Sequence, residues 1–122
     1  MESDFRAKAL DANTALCLNT LEAGMAGIGL TSSIKKRGHI GNVHRFHLRE
    51  AIWFDALPAK AWILFYFSAS ASRVAGLDFA RVQRAFNHAN ERKGVFVNVR
   101  LHDEKEAKIM VELIRSALRP ST

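Results

Sequence analysis

The stretch IGLTSSIKKRGHIGNVHRFHLR, Ile28 to Arg49, decides how the rest of the chain is read. Ile28, Leu30 and Ile34 share one parity before the central KKRGHIGN, and Phe46 and Leu48, continued by Ile52 and Phe54, share one after it. Successive side chains of a strand leave opposite faces, so this alternation predicts a β-hairpin with one face on a core. The connection holds Gly38, Gly41 and Asn42, residues that accept loop geometry with positive φ. Val43, Arg45, His47 and Arg49 take the other parity of the return strand, so a period of two separates apolar from basic. No carboxylate occurs between Glu22 and Glu50, while Lys35, Lys36, Arg37, Arg45 and Arg49 all fall in that window. The hairpin therefore concentrates the unbalanced positive charge of the chain.

Outward from this hairpin, 122 residues suffice for one domain, spanning 1–122. With 48% hydrophobic and 25% charged residues the chain has the composition of a folded protein. A formal charge of +6 suits a polyanionic partner: a nucleic acid, an acidic lipid surface or an acidic protein. Cys17 is the single cysteine, which excludes an internal disulfide and a cysteine zinc cage. The beginning, MESDFRAKALDAN, lacks the basic start and apolar run of a secretory signal. The longest apolar run, AWILFYF at Ala61 to Phe67, is far below the roughly 20 residues that cross a bilayer. A cytoplasmic protein with no membrane partner is expected.

Ser3 or Asp4 is placed to cap a first helix, whose buried face is read from Phe5, Ala9, Leu10, Ala12, Leu16, Cys17 and Leu21, with Asn13, Thr14 and Asn19 on the wet side. GMAGIG, beginning at Gly24, then turns the chain. After the hairpin, ALPAK makes a turn around Pro58, and Ala61 to Phe67, apolar on both parities, reads as a central strand covered on both faces. The small side chains of Ser68 to Ser72 then fade into a linker. A second helix capped by Asp78 carries the seam Phe79, Val82, Phe86 and Ala89, and ends at Gly94 behind Arg92 and Lys93. VFVNVRL follows as a strand, which a right-handed crossover would pair in parallel with Ala61 to Phe67. Asp103 and Glu106 make a capping box for a last helix with Ala107, Met110, Leu113, Ile114 and Ala117 inside, before Pro120. The fold class is α+β, with a four-stranded mixed sheet and the element order αβββαβα.

Few of these residues carry catalytic chemistry. His44 and His47 leave opposite faces of one strand, His39 is in the loop, and His88 and His102 belong to other elements, so no metal site and no cofactor is expected. The serine cluster lacks a G-x-S-x-G elbow, and neither GHIGN nor GMAGIG has the Lys-Ser/Thr of a phosphate loop. Asp55 and Glu50 have no spacing that marks an acid and a base. Lysines and arginines on a strand face and hairpin tip do suit phosphate backbones, with salt-sensitive, sequence-tolerant affinity. Exposed aromatics for base stacking are not evident in the patch, which favours a duplex or structured nucleic acid.

The order helix, three strands, helix, strand resembles the core of the restriction-endonuclease-like nucleases, in particular small Holliday junction resolvases, over Asp4 to Leu101, with Phe79 to Leu101 most similar in texture. The resemblance puts Asp55, in WFDAL, near the metal-binding Asp of that family, and Ser68 and Ser70 at the positions of its Glu-x-Lys. A carboxylate is needed to hold Mg²⁺ and a lysine to help activate water, so the resemblance implies a non-catalytic relative that keeps a nucleic-acid surface. The expectation is a non-enzymatic nucleic-acid-binding protein acting through Lys35, Lys36, Arg37, Arg45, Arg49 and Arg73. The alternative is a small adaptor or inhibitor whose basic surface docks on an acidic protein. Phe96 and Trp53, read as solvent-facing, leave room for a homodimer.

Overall fold

The computed structural model describes residues 10–36, 42–49, 52–68, 71, 77, 79–91 and 97–118, with the backbone alone at 35, 36, 42, 49 and 91. The expected caps at Ser3, Asp4 and Asp78, the loop glycines Gly38 and Gly41, and the helix end at Arg92 to Gly94 lie outside the described residues, as do Arg37, Arg73, Ser70 and Phe96. The described elements are α1 (Ala12–Gly27), β1 (Thr31–Lys36), β2 (Asn42–Arg49), β3 (Ile52–Pro58), β4 (Ile63–Phe67), α2 (Phe79–Ala85), β5 (Asn90–Glu91), β6 (Val97–Leu101) and α3 (Glu104–Leu118). The class is α+β, as expected. The sheet, however, has five full strands and the two-residue β5, in the order β1-β2-β3-β4-β6-β5, with every neighbouring pair antiparallel.

Two expectations fail here for definable reasons. Ile52–Pro58 is a strand of its own and not the tail of the return strand: β2 and β3 are antiparallel with Arg49 opposite Ile52, and no Gly, Pro or Asn stands between those two residues in the sequence. Pairing of β4 with β6 is antiparallel, not parallel. The second helix stops at Ala85, and the chain forms β5 before it enters β6. β5 pairs antiparallel with β6, so it runs parallel to β4, and the β5–β6 hairpin supplies one further reversal.

The core lies between one sheet face and the helices. Phe46, Phe54 and Ala56, Ile63, Phe65 and Phe67, and Val97, Val99 and Leu101 join Cys17, Leu21, Met25, Ala107, Met110 and Ile114 in one buried cluster. Phe54, Phe65 and Phe67 form its aromatic centre, with ring centroids 5.5 to 6.0 Å apart and two of the three contacts edge-to-face. The seam of the second helix is buried as read at Val82, Phe86 and Ala89, although the last two follow the helix end. β4 alternates between buried and half-buried residues, so it is covered fully on one face only.

α1 is rotated relative to the expectation. Thr14, Cys17, Leu21 and Met25 face inward, whereas Leu16 is 50% exposed. The helix also runs past Gly24 to Gly27, and Gly24 lies within it against Val111 of α3: a Cβ there would meet its two γ-carbons at 2.6 and 2.9 Å. The chain reverses at Gly29, φ 94°, where Leu30 N–H bonds Met25 O and Gly29 N–H bonds Ala26 O. That pair of bonds is the Schellman closure, and Leu30 and Met25 are both buried beside it. β1 then forms the sheet edge with Ile34 59% exposed, so its alternation reflects an edge strand and not a core face.

At the other end of the chain the cap of α3 is close to the expected box. Asp103 Oδ1 accepts Glu106 N–H at 2.9 Å, while Glu106 Oε1 reaches back to the N–H of His102 at 2.7 Å, one residue earlier than the usual reciprocal bond. Among the described residues no helix is long and apolar enough to cross a membrane.

Candidate nucleic-acid interface

Register across the sheet places Ser33, Arg45, Asp55, Tyr66, Asn98 and Asn90 opposite one another in a single row. This row belongs to the face turned away from the aromatic core, and it is polar from edge to edge. Arg45 donates from Nε to Asp55 Oδ1 at 2.7 Å and from Nη2 to Oδ2 at 2.9 Å. The planar fork of arginine matches a carboxylate in this two-bond arrangement, and the bonds raise the guanidinium pKa above its ordinary value. Its carbon Cζ also lies 3.8 Å from the ring centre of Trp53, directly opposite His47 in the adjacent row. His47 Nε2 is 3.1 Å from Ser33 Oγ on the same face.

A second stack occupies the other end of these strands. Arg100 Cζ lies 4.7 Å from the ring centre of Trp62, which precedes β4 where the turn closes through Ala59 N–H to Trp62 O. Arg100 is exposed and Trp62 half-buried, and among the described residues no carboxylate is within ion-pair distance of Arg100. Trp53 aligns with Ser68 and Trp62 lies six residues before it, so the two stacks are separated by roughly 20 Å along the strands.

The sequence-predicted residues fare unequally. Arg45 is on this face, but its charge is already met by Asp55. Lys35 and Lys36 have their backbone opposite Val43 and Asn42, and Arg49 has its backbone opposite Ile52. The histidines separate as strand parity requires. His44 turns to the helix side, where Nδ1 is 2.7 Å from Glu22 Oε2, and so leaves the basic patch. Trp53, read as solvent-facing, is half-buried beneath Arg45. Trp53 and Trp62 do lie on this face, both half-buried against arginines. Trp62 and Arg100 escaped the sequence reading because they are distant in sequence from the hairpin; the available signal was that both fall on the non-core parity of their strands.

Ser68, at one of the two serine positions of the nuclease-like resemblance, is buried, and its Oγ accepts N–H bonds from Trp53 at 3.4 Å and Ala71 at 3.1 Å. It closes the end of the β3–β4 ladder, together with Ser68 N–H to Trp53 O at 3.2 Å, and is part of the framework there. His88 and His102, assigned to separate elements, in fact come together: their ring centres are 5.9 Å apart, and with Glu106 they present three ligand atoms within 4.8 Å of one another. Comparison of the chain with protein-family models, with curated proteins and with solved structures yields no match in any of the three.

Proposed function

We propose that this protein is a non-enzymatic nucleic-acid-binding protein that holds unpaired bases against the sheet face carrying Trp53, Trp62, Arg45 and Arg100, with the basic hairpin β1–β2 following the phosphate backbone. The observation that carries the reading is the pair of arginine–tryptophan stacks on one face of a chain with formal charge +6. Every base has a π-face, and aromatic rings and guanidinium planes both serve as stacking platforms, so such a surface favours single strands without strict sequence choice. Arg45 acts here as the anchor of Trp53 and not as a free phosphate ligand, since leaving Asp55 would strand a buried carboxylate. Arg100, with Lys35, Lys36, Arg37, Arg49 and Arg73, supplies the phosphate contacts.

Titration of a single-stranded oligonucleotide, followed by tryptophan fluorescence, tests this reading. Binding should weaken linearly in log–log coordinates with added salt, and Trp62→Ala and Arg100→Glu should each weaken it by roughly tenfold or more. Absence of binding at low salt, or binding unchanged in both variants, overturns it. An adaptor role has one observation in its favour, the edge strand β1 with Ile34 exposed, to which an extended acidic segment could add as a further strand. Ile34→Lys separates the two readings: it blocks strand addition while leaving oligonucleotide affinity intact or raised.

A further inference from the structure

We propose that His88, His102 and Glu106 form a binding site for a divalent transition-metal ion of the zinc type, clipping the turn after α2 to the junction of β6 and α3. Two imidazoles and one carboxylate are a donor set that suits Zn²⁺ and its neighbours, and that Mg²⁺ and Ca²⁺, which take oxygen ligands, do not favour. The three ligand atoms already lie within 4.8 Å of one another. A tetrahedral shell with metal–nitrogen distances near 2.0 to 2.1 Å sets ligand atoms roughly 3.4 Å apart, so the widest pair has to close by about 1.4 Å. Both histidines are exposed, and rotation of their side chains supplies that movement without disturbing the core.

The hydrogen bonds around the cluster orient the rings in the way that metal-ligating histidines are held. His88 Nε2 donates to the carbonyl of Arg100 at 2.8 Å, which leaves the unshared pair on Nδ1. His102 Nδ1 and Glu106 Oε1 lie 3.0 Å apart, near the spacing of two ligands on one tetrahedral ion, so an ion replaces the hydrogen between them. Donation of the second ring nitrogen to a carbonyl is the supporting contact that fixes tautomer and ring direction in metal sites, and His88 has it. Glu106 Oε1 also accepts the backbone N–H of His102 at 2.7 Å, which holds the carboxylate at the cluster. Three protein ligands leave a fourth position to water or an exogenous ligand. His88 lies two residues before β5, and the bond from its ring to the Arg100 carbonyl on β6 holds it near His102.

Zn²⁺ titrated into the untagged full chain, by calorimetry and by thermal melting, tests the site. The expected result is one ion per chain, a raised melting midpoint as for any ligand that binds only the folded state, and no effect of Mg²⁺. His88→Ala, which does not touch the helix cap, should weaken binding tenfold or more, and so should Glu106→Gln, which keeps the cap acceptor and removes the charge. His39→Ala/His47→Ala should bind as the parent does. No stoichiometric binding of Zn²⁺ up to millimolar concentration, or an affinity unchanged by His88→Ala, overturns the proposal.

Discussion

Arg45 and Asp55 stand directly opposite each other on β2 and β3 and are joined by two parallel hydrogen bonds. The arginine side chain is 23% exposed and the carboxylate 4%, so the most conspicuous cation of the hairpin is spent within the sheet. Truncation of Arg45 leaves a buried charge without its partner. Arg45→Ala is expected to cost about 3–5 kcal/mol, whereas Arg45→Met/Asp55→Leu, which removes both charges, recovers most of that loss. Urea denaturation of Arg45→Met, Asp55→Leu and the double variant measures this coupling.

Gly24, Gly27 and Gly29 should respond to alanine in different ways although all three fall within six residues. At Gly24 the new methyl meets Val111, so overpacking of about 1–3 kcal/mol outweighs the helix-propensity gain of about 1 kcal/mol. Gly27 has open space around the added carbon, and alanine there should stabilise by up to about 1 kcal/mol. Gly29, at φ 94°, should lose about 1–2 kcal/mol. Gly24→Ala/Val111→Ala should recover the overpacking part. Thermal melts of the four proteins give the signs.

Burial in the core, with smaller contributions from Asp103 and Glu106, pushes the Cys17 thiol up to about 12 from the ordinary value of 9.0. The unfolded chain therefore releases this proton first. Its contribution to stability is intact below about pH 9 and is lost between there and pH 12, at about 1.4 kcal/mol per pH unit. Cys17→Ala should remove this part of the alkaline slope whatever its effect on stability at neutral pH. In the parent, a thiol reagent at pH 8 should modify Cys17 only as fast as the protein opens.

Thr14 is buried in α1 with its hydroxyl oxygen making no hydrogen bond. Thr14→Val keeps the shape and removes the unsatisfied group, so a gain of about 1 kcal/mol is expected. A lower urea midpoint than the parent would contradict the inward orientation of this residue.

Much of the burial was legible from periodicity. The seam Val82, Phe86 and Ala89 and the residues Ala107, Met110 and Ile114 are inside as read, and the opposite directions of His44 and His47 follow from strand parity alone. Periodicity misled where it had two solutions. On α1, Leu16 and Thr14 are two residues apart, and it is Thr14 that shares the inward face with Cys17, Leu21 and Met25, against the hydropathy of the pair. No turn residue stands between Arg49 and Ile52 to betray that β2 and β3 are separate antiparallel strands, which merged the two into one and displaced every later strand in the expected order.

Hydropathy period and charge are local properties, so the α+β class and the excess of cations in one hairpin can be read directly from the chain. What those charges do depends on contacts made far along it. Glu22 comes to His44 from a helix and Asp55 comes to Arg45 from the neighbouring strand, so part of an acid-free window in sequence is neutralised in space. The same folding lays Arg100 over Trp62 and brings His88 to His102 and Glu106. Each of these meetings depends on strand order and register, and a period of two specifies which face a side chain takes but not which partner lies across from it.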